Sequence, residues 1–151
     1  MSPEPADELL AVAARCLARE EGRDAILTSL IAGVVDRLDI GSAAIVVIEP
    51  EGLRIAATAG LPEAAANGLA AAILNSDHPV ARTAADGIAA YDVLPMAPGG
   101  PALRSHVPLV ARVDGGDRIL GVLAVAHDAP MTPNAPLLEA IADLAAVAVR
   151  A

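Results

Sequence analysis

Residues 105–149 read SHVPLVARVDGGDRILGVLAVAHDAPMTPNAPLLEAIADLAAVAV, and the spacing of apolar side chains changes within them from a strand's to a helix's. Segments 105–113 and 117–127 carry β-branched and small apolar residues around the turn at 114–116, which predicts a β-hairpin. Pro108 removes one backbone donor, so an edge or a bulge is expected beside it. Thr132 and Pro133 then open a helix that runs to the end of the sequence. Leu137, Leu138, Ile141, Leu144, Ala145 and Ala148 recur at helical spacing and are expected to cover the strand ILGVLAVA (119–126). Ala140, Val147 and the Ala142/Val149 edge leave apolar surface beyond what one sheet needs.

Working back towards the N-terminus, AAIVVIE (43–49) and LRIAATA (53–59) flank the turn 50–52 and predict a second hairpin. Two helices precede it. The first spans 6–21, with Leu9, Leu10, Ala13, Cys16 and Leu17 on one face; in the second, Ile26, Leu27, Leu30, Ile31, Val34, Val35 and Leu38 recur at helical spacing. Between the hairpins lie a helix at 63–74, a short helix opening near Pro79 and stopped by 85–87, and a strand at 88–93. Segment 94–104, LPMAPGGPALR, is rich in proline and glycine and reads as a loop. This order predicts one α+β domain over 1–151, an antiparallel sheet of about five to six strands with helices on both faces. The nearly unbroken apolar runs at 43–48 and 119–126 require that both faces of those strands be covered.

Composition narrows the function classes. The chain is 55% hydrophobic and 19% charged, as a packed globule is. A formal charge of −9 with arginines scattered singly disfavours both a nucleic-acid phosphate backbone and an anionic membrane surface. Lysine, phenylalanine and tryptophan are absent, so the core must be built from Leu, Ile, Val and Ala, with little area from each alanine. The single cysteine, Cys16, permits neither a disulfide framework nor a multi-cysteine zinc site and is expected to be an inert core thiol. Residues 1–8, MSPEPADE, lack the basic and apolar start of a secretory leader, and no apolar run approaches the ~20 residues of a membrane span. A cytoplasmic protein is expected.

Three stretches taken together resemble a GAF domain: LRIAATAGLP, HPVARTAADGIAAYDV, and the ending quoted above, with its Val-Pro-Leu strand, Gly-Val-Leu strand and Thr-Pro helix start. The resemblance covers nearly the whole chain and implies a GAF/PAS-like sensor module. It departs from several GAF subclasses. Cys16 lies on the wrong element to attach a bilin, and the free methionine sulfoxide reductases of the family need several cysteines. The Asn-Lys-Phe-Asp-Glu signature of phosphodiesterase GAF domains cannot occur without Lys or Phe.

Candidate site residues follow. Tyr91, the only aromatic residue, stands beside Asp92 at a strand end before the Pro-Gly loop. The resemblance puts that strand, the preceding helix and the loop around the ligand cavity, where a hydroxyl and a carboxylate would anchor a small molecule. The alternative is a packed Tyr with a solvated Asp. His78 and Arg82 belong to the short helix, and His78 is also suited to capping it. His106 is expected near Val125 or His127 across the hairpin, so a two-histidine metal or haem site is conceivable, against a plain solvent-facing pair. A Ser105, His106, Asp92 or Asp128 triad lacks a nucleophile elbow and an oxyanion loop. No metal is expected, and the sequence implies no particular cofactor.

The expected function is therefore non-catalytic: a small-molecule-binding regulatory module of a signalling protein, forming a homodimer through its terminal helices. Ligand contacts are expected at Tyr91, Asp92, His78, Arg82 and His106, and the net charge favours a neutral or cationic ligand. The competing reading is a ligand-free dimerisation scaffold, and the third is a haem- or metal-binding redox or gas sensor.

Overall fold

A computed structural model describes residues 22–38, 40–94, 103–113 and 115–150. The expectations for the helix at 6–21, for Cys16 and for most of the Pro-Gly loop lie outside the described residues. In chain order the elements are helix α1 (Arg23–Arg37), strands β1 (Ser42–Glu49) and β2 (Gly52–Ala59), and helices α2 (Glu63–Ala72) and α3 (Pro79–Asp86). Strands β3 (Ala90–Val93), β4 (Leu103–Val113) and β5 (Gly116–His127) follow, then a 3₁₀ turn (Thr132–Asn134) and helix α4 (Ala135–Arg150). The strands form one sheet in the order β2-β1-β5-β4-β3, antiparallel throughout. This is the α+β architecture that the period changes predict.

Side-chain alternation divides the sheet into two unequal faces. Ala43, Ile45 and Val47 of β1, Val107 and Leu109 of β4, and Leu123 and Val125 of β5 point to one side. There they meet Ile26, Leu27, Leu30, Ile31 and Val34 of α1 and Leu138, Ile141 and Ala145 of α4, all buried. The other face carries a much smaller cluster, Val46 and Val122 under Ile73, Val80 and Ala84. Most of the hydrophobic stabilisation therefore comes from the α1/α4 side.

Gly121 pairs with Val47 on one side and with Leu109 on the other. A Cβ added there would lie 2.1 Å from the Val46 carbonyl oxygen, so only glycine lets β1 and β5 approach as they do. The ladder slips between Leu109 and Val110, beside Pro108, where a bulge was expected. Two expectations need correction. Leu103 and Arg104, read as loop, belong to β4. Ala142 and Ala146, the former read as surplus apolar surface, are buried, because α1 packs on α4 and widens the stripe that this helix buries. Val147 remains 52% exposed. Among the described residues no helix is long and apolar enough to cross a membrane.

Candidate functional site

On the smaller face the register sets three rows of side chains across β1, β5 and β4. Val46, Val122 and Pro108 form one row, Ala44, Ala124 and His106 the next, and Ser42, Ala126 and Arg104 the third. Helix α3 fills the space over the valine row with Val80 and Ala84. Over the alanine rows, among the described residues, Leu61, Ala65 and Leu69 come near, and none of them is fully buried. Helix α2, EAAANGLAAA, buries none of its residues, although it is one of the most apolar segments of the chain. The result is a cavity of about 440 Å³ between the alanine floor and the α2 roof. It continues beneath α2 towards Val93 and Leu94. Gly60 turns the chain at its rim with φ 68°, where a Cβ would strike the Gly41 carbonyl oxygen at 2.6 Å.

Five polar residues interrupt this apolar lining: Ser42, Asn75, His78, Arg104 and His106. His78 caps α3, its Nδ1 accepting the Val80 N–H at 3.2 Å, so the ring proton sits on Nε2. Burial, and then the Arg104 charge, lower its pKa. His106 is 3% exposed, and burial, with smaller effects from His78 and Arg104, pushes its pKa down to about 4. It is therefore a neutral imidazole near pH 7. His106 Nδ1 and Arg104 Nε are buried and have no hydrogen-bond partner among the described residues. Leaving such groups unpaired costs about 1–3 kcal/mol each, which a proper partner would recover.

Comparison with solved structures connects this geometry to known folds. The GAF domain of the Acinetobacter phosphoenolpyruvate-protein phosphotransferase superposes with a TM-score of 0.75 at 15% identity, over 99% of this chain and 95% of that one. The fRMsr of Staphylococcus aureus, in its reduced form, gives 0.72 at 18% identity, over 98% and 97%. The phycocyanobilin-bound GAF domain of a cyanobacterial phytochrome gives 0.68 at 18% identity, over 99% and 95%. The chain has the GAF fold. No family model and no curated protein matches its sequence.

Within this GAF fold the five candidate residues separate. His78 and His106 line the cavity; Arg82, Tyr91 and Asp92 are not among its lining residues. Tyr91 turns to the α4 side, packs on the larger core and donates its hydroxyl to Glu139 Oε1 at 3.2 Å. Burial and the adjacent Glu139 push its pKa up to about 12. The cause of this placement is an irregularity in β3. Its register slips between Ala90 and Val93, and Asp92 adopts φ 56°. Two consecutive side chains therefore reach the same side of the sheet.

Asp92 is the hub of a polar network on that side. Its carboxylate accepts the Met131 N–H at 2.6 Å, the Thr132 N–H at 3.3 Å and the Thr132 hydroxyl, so a distant strand caps the turn that opens α4. These bonds, the Thr132 hydroxyl foremost, hold the Asp92 pKa below the usual carboxylate range. The Asp92 N–H donates to Ser105 Oγ at 3.1 Å, and Ser105 Oγ lies 2.8 Å from His127 Nε2. His127 Nδ1 is 2.7 Å from the Ala129 carbonyl, which can only accept, so the ring proton is on Nδ1 and the serine hydroxyl donates to Nε2. Ser105 and His127 are 0% and 1% exposed.

The expected proximity of the two imidazoles is corrected by the register. His106 pairs with Ala124 and His127 with Leu103, which sends the rings to opposite faces. Among the described residues no three His, Cys, Asp or Glu side chains converge as metal ligands. Arg104 and the Ser105–His127 pair were missed as site features. Arg104 stands two residues before His106, and that parity, applied through the loop boundary, would have put both on one face.

Proposed function

We propose that the protein is a regulatory sensor module of a cytoplasmic signalling protein, binding a small molecule in the cavity under α2 without catalysis of its own. The observation that carries this reading is the pairing of His106 Nδ1 and Arg104 Nε, buried and without a partner among the described residues, with a roof helix none of whose residues is fully buried. A ligand seated there would meet the Arg104 and His106 side chains, satisfy both nitrogens after a small shift of these side chains, and bury the inner face of α2. His78, Arg104 and His106 are its polar contacts in this reading, and Tyr91 and Asp92 act through the scaffold. The phycocyanobilin-bound neighbour supports a ligand-holding role for the fold. The non-catalytic reading draws support from the burial of Ser105, whose hydroxyl is already engaged on both sides.

Ala124→Leu tests the proposal, since it places a branched side chain on the cavity floor. Thermal shifts over a metabolite panel are expected to give hits for the wild type that disappear in Ala124→Leu. Hits that persist unchanged would move binding elsewhere and overturn the reading. A panel without hits would favour the dimerisation scaffold, in which the terminal helices alone carry function.

A further inference from the structure

We propose that the ligand is a small monocarboxylate with an apolar body, its carboxylate held by Arg104 and His106 and its body lying on Ala44, Ala124 and Ala126. The proposal rests on the cavity reading above and adds the chemical class. Arg104, His78 and His106 offer N–H groups to the cavity, Ser42 and Asn75 can donate as well as accept, and no carboxylate is among the described lining residues. Arg104 Nε can only donate, so its missing partner must be an acceptor. His78 holds its proton on Nε2, because Nδ1 is committed to Val80. An anionic acceptor is favoured over a neutral one, since hydrogen bonds between ionised partners are roughly twice as strong.

The charge of the ligand follows from counting cations. Arg104 contributes one permanent positive charge. The two imidazoles are both driven towards their neutral forms by burial. One carboxylate balances that single charge, whereas a phosphate dianion would leave a buried negative charge uncompensated in a protein of formal charge −9. The local donors thus outweigh the net charge, which by itself favours a neutral or cationic ligand. Apart from Ser42 and Asn75, the rest of the lining, Leu61, Ala65, Leu69 and the alanine floor, is apolar and suits an apolar body.

Isothermal titration of matched probes tests this class: hexanoate against hexanamide, benzoate against benzamide, and hexyl phosphate. Wild type is expected to bind a carboxylate about tenfold or more tightly than its amide. Arg104→Gln should abolish that preference, and Arg104→Lys should retain part of it, because the charge stays while the planar fork is lost. Equal affinity for acid and amide in the wild type, or tighter binding of hexyl phosphate, would overturn the carboxylate class. If such binding still vanished in Ala124→Leu, the cavity would stand as the site and only the class would fall. Carboxylate binding that survives Ala124→Leu would overturn the cavity reading itself. Absence of binding by both carboxylates at millimolar concentration would overturn the proposal.

Discussion

His106 is a histidine with no charge to offer at neutral pH. In the unfolded chain its pKa is near the ordinary 6.5, and in the fold burial brings it to about 4. Between those values the unfolded state takes up a proton that the folded state refuses. Stability therefore falls as pH drops from about 6.5 towards 4, by up to about 3 kcal/mol from this residue. Below both values the loss is complete and its slope vanishes. Chemical denaturation across this window is expected to show the decline in wild type and a flatter profile in His106→Gln. An identical slope in the two proteins would show that His106 is not the group responsible.

At the scale of elements, the central crossing of β1 and β5 is the least forgiving point of the sheet. Gly121→Ala puts a Cβ against the Val46 carbonyl, a backbone atom that cannot rotate away. The expected outcome is a loss of about 3 kcal/mol or more, read as a fall in denaturation midpoint or as insoluble protein. Near-wild-type stability would mean that the two strands can part without cost.

The same scale shows what the sequence could express. Element order and the two hairpins were legible because composition and turn residues act locally: 105–113 and 117–127 are apolar and rich in β-branched residues, and Asp-Gly-Gly breaks them. His78, before a helix start, and His106, in the hairpin, are both candidate contacts on the sequence alone, and both line the cavity. The destination of Tyr91 and Asp92 was not legible. It depends on one left-handed residue in a four-residue strand, a choice stabilised by bonds to Met131 and Thr132 some forty positions away. The cavity was hidden for a related reason. Alanine is so common here that Ala44, Ala124 and Ala126 become a floor only once the register aligns them. The register of β4 on β5 in turn depends on the slip beside Pro108.

For the molecule as a whole, α4 and the exposed Val147 bear on assembly. We propose a homodimer contact at the outer surface of α4 that α1 leaves uncovered. Val147→Glu should then shift sedimentation at high micromolar concentration from dimer to monomer without altering the buried face at Leu138, Ile141 and Ala145. A wild type that sediments as a monomer, or a variant that remains a dimer, would exclude this contact.

One further consequence comes from Asp92. Its neighbours Val93 and Leu94 border the cavity, its N–H rests on Ser105 between the two cavity residues Arg104 and His106, and its carboxylate holds the first amides of the α4 turn. Those amides are therefore connected, through Asp92 and Ser105, to the cavity on the other side of the sheet. Deuterium uptake at Met131 and Thr132 should slow when the cavity is filled, because a tightened β3–β4 edge lengthens the lifetime of the Asp92 bonds. In Asp92→Gly, which keeps the backbone turn but lacks the carboxylate, the same amides should exchange quickly whether or not the cavity is filled. If the cavity binds as proposed, these two amides would serve as an isotopic gauge of occupancy, needing neither a fluorophore nor an attached output domain.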